Sequence, residues 1–172
     1  MTLISSKIRQ LALTGAMLAS ALALSGCGFT PLYGQGAMSS ALDDVVVELP
    51  THSRAGYLVQ QKVNDALGRH SDHGSWKLTL EVYTKRTARG VRVNNVASRY
   101  ELNMTVDMVL TDAATGKVAL KDTINAASTY DSADQPYAGL AAEQDGEVRA
   151  AGVAADLIRL RLSRYFAARP NP

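Results

Sequence analysis

Between residues 82 and 100 the sequence carries Lys85, Arg86, Arg89, Arg92 and Arg99 and no acidic residue. Guanidinium forks grip phosphate bidentately and an ammonium group binds it as a point charge, so such a cluster near the end of a hairpin can hold an anionic ligand. The same charges can simply keep a strand edge from aggregating, and the residues alone favour neither reading. Other reactive types do not assemble. His70 and His73 flank Asp72 at a spacing able to ligate a metal, but Gly68, Ser71 and Gly74 put them in a turn with no further ligand, so no metal is expected. His52 has no partner motif for base catalysis, and there is no Gly-x-Ser-x-Gly elbow. Asp43 and Asp44 are adjacent, which on a strand turns them to opposite faces and suits solvated charges better than a shared substrate atom. Gly34-x-Gly36 lacks the preceding strand and following helix of a phosphate loop. No catalytic residue emerges, and the protein is not expected to be an enzyme.

The one cysteine has a different explanation. Lys7 and Arg9, with no acid beside them, precede an uncharged run of 14 residues, Leu11 to Leu24. A spanning helix needs about 20 apolar residues, so this run reads as the core of a signal peptide, residues 1–26, and lies outside the fold. It ends in Leu24-Ser25-Gly26-Cys27, which resembles the lipobox of bacterial lipoproteins at every position. That resemblance implies a diacylglyceryl group on the thiol and cleavage that leaves Cys27 as the acylated first residue. The expected prosthetic chemistry is this covalent lipid and no other cofactor. Gly28 stands where an aspartate would signal inner-membrane retention, which favours the outer membrane.

The 172 residues, 47% hydrophobic and 20% charged, suit one folded domain. A single cysteine excludes an intrachain disulfide framework and a Cys-based zinc cluster. Removing residues 1–26 takes Lys7 and Arg9 and leaves 16 basic and 16 acidic side chains. That balance argues against a nucleic-acid partner.

The elements that must carry the cations follow from periodicity. Residues 27–43 read as the acylated cysteine and a Gly/Ser-rich tether, and 44–169 as a single domain. Val45-Val46-Val47-Glu48-Leu49, closed by Pro50, predicts a short buried strand. Ala55, Leu58, Val59, Val63, Ala66 and Leu67 recur at helical spacing up to Gly68, with Thr51 or Ser53 as the cap. Trp76, Leu78, Leu80 and Val82 alternate with polar residues, as do Tyr100, Leu102, Met104, Val106, Met108 and Leu110, giving two strands. Between them Gly90 marks a bulge and Asn94-Asn95 a turn. Thr111 to Lys117 supplies a second turn before Val118, Leu120, Ile124 and Ala126. Val148, Ala151, Ala155, Ile158, Leu162 and Phe166 then share one helical face, ended by Pro170. The order β-α-β-β-β-α predicts an α+β fold, a two-layer sandwich of a four-stranded, largely antiparallel sheet with two helices.

Three stretches together resemble the lipopolysaccharide-assembly lipoprotein family LptE in its alphaproteobacterial form: Leu-Ser-Gly-Cys-Gly-Phe-Thr-Pro-Leu-Tyr-Gly (24–34), Ser-Arg-Tyr-Glu-Leu-Asn-Met-Thr-Val (98–106) and Leu-Thr-Asp-Ala-Ala-Thr-Gly-Lys-Val (110–118). The resemblance implies a noncatalytic, lipid-anchored outer-membrane subunit of the lipopolysaccharide translocon. It implies a domain seated as a plug in the lumen of a large LptD-like β-barrel, facing the periplasm and helping the barrel assemble and deliver lipopolysaccharide. Anionic lipopolysaccharide then becomes the expected ligand of Arg86, Arg89 and Arg92 first, with Lys85 and Arg99 beside them. The alternative is a freestanding lipoprotein that binds an anionic envelope polymer or another envelope protein.

Overall fold

Leu78 and Leu80 alternate with Lys77, Thr79 and Glu81, and this period-two pattern sits in an unusually long strand. The computed structural model describes residues 37–68, 73–91, 97–131 and 135–168, which lie in one compact unit within Gln35–Pro172. The elements in order are α1 (Ala37–Asp43), β1 (Val45–Glu48), α2 (Arg54–Leu67), β2 (Trp76–Val91), β3 (Ala97–Asp112), β4 (Val118–Asp131) and α3 (Pro136–Ala167). The α+β architecture expected from the sequence is the one found, with the short helix α1 added in front. The signal peptide, Cys27, residues 28–36, His70, Asp72, Arg92, the Asn94-Asn95 turn and Pro170 lie outside the described residues.

The strands form one sheet in the order β1-β2-β3-β4, with β1 parallel to β2 and the other neighbours antiparallel. At about 3.3 Å per residue, the 16 residues of β2 run roughly 50 Å. β1 pairs only with Trp76–Thr79, at one end. The cations of β2 lie toward the other.

One face of the sheet is apolar because Leu78, Leu80, Leu102, Met104, Val106, Met108 and Leu110 all share a parity. Against it pack Val59 and Val63 of α2 and Ala150, Ala151, Ala154, Ala155, Ile158 and Leu162 of α3. Burying each Leu, Ile or Met of this set contributes about 1.5–3 kcal/mol. The small alanines of α3 let the helix axis lie close to the sheet. Ser53 caps α2, its hydroxyl accepting from the Gly56 N–H at 3.0 Å, and Gly68 ends it in the left-handed region at φ 68°. Asp112 holds the β3–β4 turn, its carboxylate accepting from the N–H groups of Ala114 and Thr115, while Gly116 supplies φ 69°.

Three expectations need correction. Residues 37–43, read as the end of a tether, form α1, and Leu42 is buried in the core. The bulge expected at Gly90 is absent as a register shift: Arg89 faces Arg99 and Val91 faces Ala97 at an unchanged offset, although Gly90 itself has φ 70°. The irregularity falls instead between Leu110 and Thr111, where β3 meets β4. Finally, α3 begins at Pro136, well ahead of the apolar stripe that starts at Val148.

Candidate functional site

Strand geometry distributes the basic cluster over two faces. Successive side chains of β2 alternate, so Lys85 and Arg89 project from the open face of the sheet and Arg86 from the helix-covered face. Arg99, directly opposite Arg89 in the register, joins the open face. Two facing cations repel, and each is matched by a carboxylate: Arg89 Nε donates to Glu101 Oε2 and Arg99 Nε to Asp131 Oδ1, both at 2.9 Å. Arg86 Nη1 donates to Glu143 Oε2 of α3 at 2.8 Å, and its guanidinium carbon lies 5.0 Å from the centroid of the Tyr100 ring. Tyr100 stacks on Tyr130 at 5.5 Å. The cluster is thus interleaved with acids from β3, β4 and α3, Glu101 just beyond Arg99 and Asp131 and Glu143 much further along the chain. Among the described residues Lys85 has no ion-pair partner. Arg92, a first-choice ligand residue, lies outside the described residues.

These pairs are weak enough to be exchanged. The arginine side chains of the three are 49–58% exposed, and ion pairs so open to water contribute on the order of 0–1 kcal/mol each. The Tyr130 hydroxyl and then the Glu143 carboxylate favour the charged form of Arg86, raising its pKa. Burial pushes the Tyr130 phenol up while Arg86 pulls it down, and its buried oxygen has no well-formed hydrogen bond. A polyanion replacing Glu143, Glu101 and Asp131 would therefore meet preformed guanidinium groups.

Hydrogen bonds from Arg89, then Asn103, hold the Glu101 carboxyl below the usual glutamate range. The Thr123 N–H, then Arg161, do the same for Asp122. Asp122 stands on the inward row of β4, between Leu120 and Ile124, and its ion pair with Arg161 of α3 went unanticipated in the sequence. Both groups are harder to protonate in the folded chain than in the unfolded one. Their stabilisation is present above the ordinary carboxylate pKa and is lost as pH falls through that value toward the depressed folded one. Urea unfolding midpoints should accordingly drop between pH 7 and pH 3, and the combined Glu101→Gln, Asp122→Asn variant should show a shallower drop.

The open face of the sheet is mostly polar, with Val46, Val109 and Ala127 among its apolar members. It presents Thr79, Glu81, Tyr83, Lys85, Thr87 and Arg89 from β2, with Asn103, Thr105 and Asp107 of β3 and Thr123, Asn125 and Thr129 of β4 beside them. Thr105 donates to Asn125 at 3.1 Å and Thr123 to Asp107 at 2.6 Å, a ladder of short polar side chains. No helix of the described residues covers this face. The remaining sequence candidates do not converge with it. His52 stacks on Tyr57 at 5.5 Å, and His73 lies near the start of β2. Among the described residues no group of His, Cys, Asp and Glu could hold a metal ion, and no helix is long and apolar enough to cross a membrane. Asp44, expected to be solvated, instead accepts the Ser75 N–H at 3.0 Å.

The domain has two layers, one face of the sheet buried under helices and the other, mostly polar, left bare, as antiparallel sheets often are. The lipopolysaccharide-assembly family model LptE matches residues 42–162, most of the domain, and the chain belongs to that family. It is similar to a candidate lipoprotein from Caulobacter crescentus CB15, 43% identical, over 79% of this chain and 100% of that one, with a TM-score of 0.69. Two more distant structures share the fold. Rare lipoprotein B from Shewanella oneidensis is 16% identical over 72% of this chain and 96% of its own, with a TM-score of 0.55. A minor lipoprotein from Acinetobacter baumannii is 16% identical over 70% and 91%, with a TM-score of 0.51. No curated protein sequence matches the chain. The family is one of lipopolysaccharide-assembly factors of the cell envelope, not of known enzymes.

Proposed function

We propose that the protein is an outer-membrane lipoprotein, acylated on Cys27, whose domain sits as a plug in the lumen of a large LptD-like β-barrel and supports its assembly and its delivery of lipopolysaccharide. The observation that carries this reading is the bare polar face of the sheet. The lumen of a wide outer-membrane barrel is itself polar, so a threonine- and asparagine-rich surface about 50 Å long can line up against it without burying unpaired apolar area. The direct test is a mild-detergent pull-down of the tagged, lipidated chain from native outer membranes. A large barrel in near-equimolar amount is the expected result; a lipoprotein recovered alone would favour the freestanding binder.

The basic residues give the ligand half of the reading. Lipopolysaccharide carries anionic groups on lipid A and core sugars, and Arg86, Arg89 and Arg92, with Lys85 and Arg99, are its candidate contacts. Replacing Arg86, Arg89 and Arg92 together with Ser should weaken binding to purified lipopolysaccharide while leaving the far-UV circular dichroism unchanged. Arg86 and Arg89 point to opposite faces, so the two single variants should be separable. Unaltered binding in the triple variant would return the cations to protecting the strand.

A further inference from the structure

We propose that the uncovered edge of β2, from Leu80 to Arg89, is a strand-docking surface that takes an extended segment of an envelope protein bearing Asp or Glu at alternate positions. β1 pairs with Trp76–Thr79 and stops. From Leu80 onward β2 has β3 on one side and, among the described residues, no strand on the other. No backbone hydrogen bond outside the β2–β3 ladder reaches this stretch among the described residues. Every second N–H and C=O along it therefore faces outward, a template for one more strand.

The opposite edge of the sheet is treated differently. On β4, Arg149 of α3 donates to the Thr129 carbonyl at 3.0 Å, Ser128 donates to the Gly146 carbonyl at 2.7 Å, and Asp122 is tied to Arg161. α3 leans on that strand from Asp122 to Thr129, and Arg149 occupies one of its backbone carbonyls. Over the far half of β2 the cover is thinner: α2 begins only at Arg54, which pairs with Glu147, and α3 touches this stretch through the exposed ion pair of Glu143 with Arg86. The far half of β2 is consequently open at its edge, and on its inward row Thr84, Arg86 and Ala88 are exposed although Arg86 reaches Glu143.

Charge decides the occupant. Lys85 and Arg89 are four apart on one face of the strand, and Arg86 lies on the other. A second copy of this chain aligned on the cations would set like charges against each other, whereas a strand with acids at alternate positions, all on one face, brings carboxylates opposite Lys85 and Arg89. Among the described residues Lys85 has no ion pair to give up, and those of Arg86 and Arg89 are largely exposed. The surface goes beyond the plug reading, because it stands whether the partner is a barrel or another envelope protein and whether or not lipopolysaccharide is bound.

The test uses the full-length chain in its native envelope, with benzoylphenylalanine replacing Tyr83 or Ala88 on the edge strand and Asn125 on β4 as the comparison. Photo-cross-links from Tyr83 and Ala88 should fall within one short partner segment with acidic residues at alternate positions, with far weaker products from Asn125. Lys85→Glu combined with Arg89→Glu should lower the edge cross-links on the order of tenfold. Lys85→Glu alone, which breaks no ion pair among the described residues, should lower them in the same direction. Edge cross-links to a second copy of the chain, to a segment without acids, or unaffected by either reversal would overturn the proposal. Cross-links to an acidic strand of a protein that is not a barrel would support the edge and leave the plug reading to be decided by the pull-down.

Discussion

With Ala in place of Cys27, the chain should incorporate no labelled fatty acid and should move from the membrane fraction to the soluble periplasmic fraction. In the proposed reading the thiol accepts the diacylglyceryl group that the Leu24-Ser25-Gly26-Cys27 box implies, and a methyl side chain offers no nucleophile. Each buried methylene of an acyl chain contributes about 0.8 kcal/mol, and attachment becomes lasting only with more than one chain. The loss is therefore close to all-or-none. The fold should survive it, since the described elements begin at Ala37, ten residues further on. Far-UV circular dichroism should match that of the native chain. Acylation unchanged in this variant would defeat the lipobox reading outright. A soluble variant that still recovers a barrel in detergent would separate the lipid anchor from the docking surface and leave the latter intact.

Most of the architecture was legible in the sequence because strong periodicity leaves little freedom. Leu78 and Leu80, and Leu102 through Leu110, can be buried together only on one face of a strand pair. The breaker expected at Gly68 does end the helix from Arg54, because a left-handed glycine is a chemical stop, and of the two cap candidates Thr51 and Ser53 it is Ser53 that caps it. The signal failed where packing rather than pattern decides. The first three turns of α3 hold Gly139, Gly146 and many alanines, which carry little hydrophobic contrast. Gly146 in particular looks like a breaker, yet a Cβ there would meet Tyr130 Cδ1 at 3.0 Å, so its absence lets α3 approach β4. α1 was hidden for a related reason: one buried leucine, Leu42, anchors a seven-residue helix.

The candidate site was half legible. Local sequence shows five cations and no acid, because the carboxylates that answer them come from Glu101, Asp131 and Glu143, brought in by register and by the helix crossing. A linear reading sees a positive patch where the fold makes an interleaved one. The position of the cations along a half-uncovered strand was equally invisible, because it depends on β1 ending at Glu48, opposite Thr79. Had β1 been longer, the same residues would lie on an interior strand.

That dependence leads to the sharpest contrast between two glycines of identical sequence appearance. Gly74→Ala should destabilise the domain by about 1–3 kcal/mol or more, as overpacking does. Gly152→Ala should stabilise it by roughly 0.5–1 kcal/mol through helix propensity. At Gly152 a Cβ meets nothing within 4 Å, whereas at Gly74 it would stand 2.2 Å from the Asp44 carbonyl oxygen and 2.8 Å from its carbon. That carbonyl accepts the Trp76 N–H at 3.2 Å, and the Asp44 carboxylate accepts the Ser75 N–H at 3.0 Å. These bonds dock the start of β1 onto β2, so relieving the clash means lifting β1 away. Urea unfolding should give the opposite signs for the two variants, and hydrogen exchange in Gly74→Ala should show faster amides over Val45–Glu48 and Trp76–Thr79. Equal stability of the two proteins would mean that β1 yields without cost. With β1 loosened, the open edge of β2 would grow by the four residues that β1 now covers, so the same variant should carry its edge cross-links further toward Trp76.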